Sequence, residues 1–507
     1  MADARAAAGS ADAVLEIGNR LTEAPSARLV ASAFAEEVAG QAELFAPLGL
    51  VDLAHCLTLA ETGVVPPAPA RALAAALLSL QQSGPDFAAG AAFGDLYTNR
   101  EAHLARLTPA AGWFGTARAR REALTTAYHL LLRERLIELG SALAEFGRAV
   151  VAVAAAHADS PMPDYTYLQA AQPTSVGHYL SGFAWPALRD LERLEALYAR
   201  VDLCPAGCGS MNGSVAFQDR AAMARRLGCA GPLAHARDAM WQADLAIEAM
   251  GVLVAAAVGL DRLAEDLMIF ATAEFGFVRL ADRHGRASKI MPQKRNPFAL
   301  AFVRGLANRL IGEQAGVAAS GRTPTGQMDS RMLPYAAVPA AARSVAQAAA
   351  LMAEVVAGMT VDTARTRAAL ADGTTAASDL AERLCLGLGL DFRSAHGVVA
   401  RLMTRLEAGG RTLAGLTEHE LRAACREAGV AEPVPDGLLR RALDVEACLA
   451  ARSDVGGAAP AEVRRQAGEI ADALGRHEGW LAAAGRRNAA AAEGLMAEAR
   501  AFAGDAA

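Results

Sequence analysis

Five stretches of this chain, residues 117–157, 175–200, 231–282, 297–320 and 335–360, run far beyond an average globular helix with few glycines or prolines to break them. Alanine and leucine dominate them, and both favour helix. At ~1.5 Å per residue such helices reach about 40–70 Å, a length over which an alanine/leucine face can be buried only against other helices. The fold class that follows is all-α, three helical regions with a central long five-helix bundle. Alanine-rich faces at Ala149 to Ala156 and Ala341 to Ala350 permit close helix approach and suit association between subunits.

On either side the pattern changes. Residues 1–15 are alanine-rich and polar-interrupted, and are expected to be loose. Arg28 to Leu80 reads as three short amphipathic helices separated by Pro47-Leu48-Gly49 and by Pro66 to Pro69. Residues 84–116, richer in glycine, aromatic and polar side chains, read as loops that carry function and complete an N-terminal region, 1–116. The central region is 117–360. A third, 361–507, has shorter helices broken at Gly409-Gly410, Pro433 to Pro435 and Gly456-Gly457, and beyond Gly485 the chain is expected to fray. No repeat of fixed period and no dinucleotide, Walker, zincin or nucleophile-elbow motif is present.

With 507 residues the chain exceeds what one core normally serves. Its net charge of −6 provides no general field for a polyanion, so nucleic acid is not an expected partner. Seven cysteines (Cys56, Cys204, Cys208, Cys229, Cys385, Cys425, Cys448), odd in number and set in apolar patterns, suit free thiols in a reducing compartment. Cys204 and Cys208 lack the second pair or nearby histidine of a metal site, and no metal is expected. The start, Met1-Ala2-Asp3-Ala4-Arg5, has no apolar signal core, and the longest apolar run, Ala249 to Leu260, is too short to span a bilayer. The expectation is a soluble cytoplasmic protein without a membrane partner.

One polar segment interrupts the long helical patterns: Gly285-Arg286-Ala287-Ser288-Lys289-Ile290-Met291-Pro292-Gln293-Lys294-Arg295-Asn296-Pro297. Pro292 and Pro297 deny it helix-interior geometry and Gly285 allows a hinge. It reads as a mobile loop that binds an anion or does chemistry on one. On residue type alone Ser288 could equally be a loop cap and Lys294 a surface charge. The pattern Ser288-x-x-Met291-Pro292-x-Lys294-x-Asn296-Pro297 resembles the signature loop of the fumarase/aspartase superfamily, and Met291 to Pro297 resembles its argininosuccinate lyase branch. Ala287 stands where that family has glycine, and Lys289 where it has a second serine. The resemblance extends to Met162 to Pro173 with Gly177 to Leu180, to Pro205 to Ser210 with Asp219-Arg220, to Asp266 to Asp282, and to Ala450 to Pro460.

This resemblance implies a cofactor-independent lyase, a homotetramer with a twenty-helix core, and active sites assembled at subunit corners from three chains. Such enzymes release fumarate from succinyl compounds by removing a proton beside a carboxylate, so fixed cations must meet the dianionic aci-carboxylate that develops. By motif position Ser288 is the general base, its deprotonation favoured by cations and loop amides. Lys294 and Asn296 hold the aci-carboxylate, Thr166 and Gln169 bind carboxylate groups, and loop closure excludes water.

Departures from the pattern concern the leaving group. Tyr167 replaces the family's histidine, and Ala301 replaces the acid that orients it, so both members of one pair are missing. Arg118-Ala119-Arg120-Arg121-Glu122 aligns with an arginine-rich substrate-binding stretch in which Arg118 and Arg120 match and Arg121 replaces asparagine. Asp95-Leu96-Tyr97 stands where the family has Asp-Val-His. Thr323 to Arg331 has no counterpart of the segment that grips a guanidino group. The expectation is a carbon–nitrogen lyase acting on a different N-substituted succinate, or adding an amine to fumarate. Arg121 and Lys289 would meet an additional carboxylate or be simply solvated, and Asp329 would pair with a cationic amine. Tyr167 would donate a proton to the leaving group or merely fill the space of the missing histidine; a group that departs as a stable anion, such as nitrite, needs no acid. An ordinary argininosuccinate lyase with an unusual site, and a catalytically silent structural homologue, are the rival readings.

Overall fold

Leucine and alanine at helical spacing do form the long helices. The computed structural model describes residues 14, 15, 17, 20–84, 87–216, 219–324, 326, 327 and 329–504, with the side chains of 329 and 330 outside the description. In the N-terminal region, α1 (Phe45–Glu61), α2 (Pro67–Ser83) and α3 (Leu96–Leu107) pack together. Pro67 opens α2, where its missing N–H costs nothing. Asp95 caps α3 by accepting from the Thr98 amide at 2.7 Å.

The central elements follow in order: α4 (Arg120–Ala156), a hairpin of β1 (Pro161–Thr166) and β2 (Gln169–Ser175), α5 (Val176–Val201), α6 (Asp244–Phe270), a short hairpin of β3 (Arg286–Ala287) and β4 (Arg295–Asn296), α7 (Phe298–Ser320) and α8 (Asp329–Gly358). The five long helices make one bundle. The α4 helix lies between α5 and α8, α6 packs on α7, and α7 returns to α8. Its buried positions Leu124, Leu132, Leu136, Leu139, Leu143, Phe146 and Val150 form the spine of the core. The stretch 231–282 is shorter as helix than its composition implies. After Phe270 the chain turns through Gly276, at φ +65°, and folds Phe275 and Phe277 back onto the Phe270 ring. An aromatic turn of this kind carries little glycine or proline to announce it.

Among the described residues, three stretches, Ala42–Glu61, Arg120–Ala156 and Arg331–Gly358, are long and apolar enough to cross a membrane by length and composition, a property that the longest unbroken apolar run, Ala249 to Leu260, does not show. In this fold half or more of each apolar window is buried inside the protein.

The last helix corrects an expectation. Rather than fraying after Gly485, the chain continues as α9 (Pro460–Ala503) and packs along α4, α5, α1 and α2. Gly140 and Gly147, seven residues apart on α4, make the notches that receive it. A Cβ on Gly140 would come within 2.6 Å of a Leu481 methyl, and one on Gly147 within 3.0 Å of a Leu474 methyl. The alanine-rich, charged surface of α9 hides a narrow stripe, Ile470, Leu474, Leu481, Leu495 and Ala499, that is buried. Between the bundle and this helix, Leu380, Leu384, Val398, Leu402 and Leu421 form a small core of their own.

Candidate active site

The polar segment 285–297 is an exposed hairpin. Arg286 pairs with Asn296 and Ala287 with Arg295, so residues 288–294 form its loop. The stem is held from outside by the Arg295–Asp282 ion pair at 2.9 Å and by the Arg286 guanidinium over the Phe298 ring at 5.2 Å. Ser288 Oγ accepts from the Met291 amide at 3.0 Å and more loosely from the Ile290 amide at 3.4 Å. Such donors favour the deprotonated form of a hydroxyl. Lys289 and Lys294 are exposed and Asn296 is half-buried at the stem. The Ile290 side chain, 84% exposed at the loop tip, has nothing to pack against within one chain.

Thr166, Tyr167 and Gln169 occupy the tip of the β1–β2 hairpin, where the sequence pattern shows no strand. Tyr167 and Leu168 form a two-residue turn with φ of 54° and 58°, the left-handed geometry that usually calls for asparagine and glycine. Each non-glycine residue held there costs on the order of 1 kcal/mol or more. Tyr167 is nonetheless 99% exposed, so no packing within the chain compensates for it. The hairpin base is tied down by the Gln172 amide donating to Ser378 Oγ at 3.2 Å. No hydrogen bond or ion pair among the described residues joins this tip to the Ser288 loop.

The third cluster lies at the N-terminus of α4. Arg118, expected to bind substrate, is instead a structural residue. Its guanidinium donates to Asp52 at 2.7 Å, lies over the Tyr97 and Phe114 rings, and is sealed from solvent. Arg100 reaches the other Asp52 oxygen at 2.8 Å, giving a fully buried triad that pins α1, α3 and the start of α4 together. Asp52 was the missed signal: a lone acid inside an apolar helix needs a cationic partner. Arg120 pairs with Asp95 at 3.2 Å and keeps half its surface in solvent. Arg121 is half-buried and has no ion pair among the described residues. Glu122 points inward, accepting from the Gly207 amide at 2.6 Å. Burial pushes its carboxyl up to about 7 against the pull of that amide and of Arg118. It fastens the glycine-rich turn 205–210 to the bundle.

Arg331, at the start of α8, was not singled out from the sequence. It lies 4.2 Å over the Trp241 ring and beside Tyr335, which meets Thr125 Oγ1 at 2.5 Å and stacks on Tyr128. Together with Arg121 it lines one cavity. The side chain of Asp329, expected to meet a cationic amine, lies outside the described residues.

Comparison with known proteins shows the family and the fold. Residues 92–312 match a lyase family model, and 374–450 match the argininosuccinate lyase C-terminal model. An argininosuccinate lyase from Methanoculleus marisnigri is 34% identical over 466 residues, covering 90% of this chain and 92% of that protein. Among solved structures, an EDDS lyase variant with bound fumarate superposes with a TM-score of 0.85 at 25% identity, covering 95% of this chain and 97% of the other. A β-carboxy-cis,cis-muconate cycloisomerase from Acinetobacter calcoaceticus, at 20% identity and a TM-score of 0.68 over 88% of this chain and 97% of its own, shares the fold. The chain therefore belongs to the argininosuccinate lyase-like branch of the fumarase/aspartase superfamily.

Proposed function

We propose that this protein is a carbon–nitrogen lyase that releases fumarate from an N-substituted succinate, or adds an amine to fumarate, and that argininosuccinate is not its substrate. The observation that carries the reading is the Ser288 hydroxyl, met by two backbone amides where the loop of a cationic hairpin begins. In the elimination direction Ser288 takes the Cβ proton. The C–H electron pair passes into the adjacent carboxylate, where Lys294 and Asn296 meet the added charge. As that charge returns to form the double bond the C–N bond breaks, and the amine leaves with a proton from Tyr167 or water. Thr166 and Gln169 hold the succinyl carboxylates, and the hairpin folds over them.

Substitution on the leaving-group side supports a substrate other than argininosuccinate. Tyr167 and Ala301 replace a histidine and the acid that would orient it, and Arg121 stands where the related enzymes carry asparagine. The bound fumarate in the EDDS lyase variant is consistent with the succinyl half of this assignment.

Self-association belongs to the same proposal. The Ser288 loop and the Tyr167 turn both present exposed apolar groups, Ile290 and Leu168, and Phe298 and Phe302 lie exposed one turn apart on α7. A homotetramer would cover these surfaces and bring the three clusters together from different copies.

The test is absorbance of fumarate with argininosuccinate as substrate, beside mass spectrometry of mixtures of fumarate with amines, amino acids and diamines. New adducts that disappear with Ser288→Ala are expected, with little turnover of argininosuccinate. Rapid fumarate release from argininosuccinate would refute the substrate assignment. The silent-homologue reading prevails if no succinyl compound or amine reacts.

A further inference from the structure

Two short segments that pair in parallel, Leu203–Cys204 and Gly231–Pro232, bring two cysteines together. Cys204 is fully buried, Cys229 is partly exposed, and the thiol of the first hydrogen-bonds to the sulfur of the second. The backbone around them is fixed. The Ala230 amide donates to the Asp202 carbonyl at 3.0 Å and the Leu233 amide to the Cys204 carbonyl at 2.9 Å. Gly228, at φ +65°, turns the chain out of the short helix Arg220–Arg226 and delivers Cys229 to this contact.

Charge around the pair is unbalanced. Arg133 of α4, with 4% of its side chain exposed, and Arg487 of α9 share a single carboxylate, that of Asp202, at 2.7 and 3.0 Å. Arg133 Nη1 also donates to the Cys229 sulfur at 3.5 Å, and its Nε is buried with no partner among the described residues. Of the other groups packed here, the Tyr198 hydroxyl meets Asn488 and Arg487, and Glu134 stands behind Asn488, whose amide donates to it at 2.8 Å. His129, bound to the Val201 carbonyl, is kept neutral by burial, which brings it down to about 4. Arg220 adds a further guanidinium on the Cys204 side. Two guanidiniums thus meet one carboxylate, and a thiolate at Cys229 restores the balance. The hydrogen bond from Cys204 first, and then the guanidiniums, hold the Cys229 thiol below its ordinary value against burial, while the same bond raises Cys204. Burial pushes Cys56, Cys208, Cys425 and Cys448 upward.

We propose that Cys229 and Cys204 form a hydroperoxide-reactive pair, the first attacking and the second resolving, that closes reversibly to a disulfide. The Cys229 thiolate attacks one peroxide oxygen; the O–O bond breaks, and the other oxygen leaves as an alcohol, or as water from hydrogen peroxide, with a proton from solvent. The Cys204 sulfur then attacks the sulfenic sulfur it already touches. The S–S bond forms, the S–O bond breaks, and hydroxide departs with the Cys204 proton as water. Two thiols and one hydroperoxide give one disulfide, one alcohol and one water. A dithiol reverses the closure. None of this rests on the lyase reading.

The full chain, reduced and then freed of reductant, is treated with hydrogen peroxide and its remaining thiols are blocked. Each chain should lose the mass of two hydrogen atoms and regain it with dithiothreitol, and a non-reduced tryptic map should join residues 201–220 to 227–237. Cys208 shares the first of those peptides, so the link should persist in Cys208→Ser and vanish in Cys204→Ser. In Cys204→Ser the reaction should stop at a sulfenic acid on Cys229 that dimedone captures, and in Cys229→Ser neither product should form. Arg487→Gln, which removes the more exposed cation, should slow the reaction about threefold or more. An unchanged rate there overturns the role given to the surrounding charge. No link in the native chain, a link through Cys208, or a link that forms only after unfolding in urea overturns the proposal.

Discussion

Replacing Glu122 by glutamine tests the electrostatics at the start of α4. The wild-type carboxyl is buried, has one oxygen bound to the Gly207 amide and one unpartnered, and is raised by desolvation to about 7 from an ordinary 4.5. A raised acid pKa means that the folded state holds a proton that the unfolded chain has already lost. Stability from this group is therefore fully present below pH 4.5 and is lost as pH rises through about 7. At 1.36 kcal/mol per unit, the whole window corresponds to about 3 kcal/mol. Glutamine keeps the acceptor for Gly207 and cannot ionise. The variant should thus gain about 3 kcal/mol on wild type between pH 4.5 and pH 7.5, whatever its offset at the lower end. Urea unfolding of both proteins across that range, at one fixed protein concentration, measures the difference. Asp190, which burial raises to about 6, contributes a similar slope to both proteins and cancels. A difference that is flat with pH would show that Glu122 is ionised and solvated, and the account of its environment would be wrong.

Asp52→Asn should destabilise the fold by about 3–5 kcal/mol, since it strands two buried guanidiniums; near-neutral behaviour in urea would mean that the Arg100–Asp52–Arg118 triad is not closed to water. Gly140→Ala should cost about 1–3 kcal/mol by pushing on Leu481, and a Gly140→Ala/Leu481→Ala double variant should show a favourable coupling, which additive losses would contradict. Leu168→Gly relieves a left-handed turn residue that packs little within the chain, and thermal unfolding should show a gain of about 1 kcal/mol unless neighbouring copies grip the leucine. Tyr167→Phe should lower kcat by about a hundredfold or more if its hydroxyl is the proton donor, and an unaltered pH–rate profile would remove it from that role.

The long helices and the polar loop at residues 285–297 were legible in the sequence for the same reason: both are local. Helical periodicity and a dense run of cations, hydroxyl and amide can be read without knowing what lies opposite. The aromatic turn at 270–277 and the left-handed Tyr167-Leu168 turn were not legible: the first carries a single glycine, Gly276, among aromatic residues, and the second no glycine or proline at all. Helix α9 was hidden for another reason: its buried stripe is narrow, and the matching notches at Gly140 and Gly147 lie more than 300 residues earlier.

The order of residues along the chain was thus enough for an all-α bundle and for a cationic loop resembling that of fumarate-releasing lyases, since backbone propensity and motif spacing are local. Which cations already have a partner inside the fold followed from packing alone. Arg118 and Arg121 look alike in the sequence, yet Asp52 neutralises the first from another helix while the second is left beside Arg331. Whether a charge is spent on the fold or kept for a ligand depends on what comes within a few ångströms of it in space, and Coulomb attraction takes no account of distance along the chain.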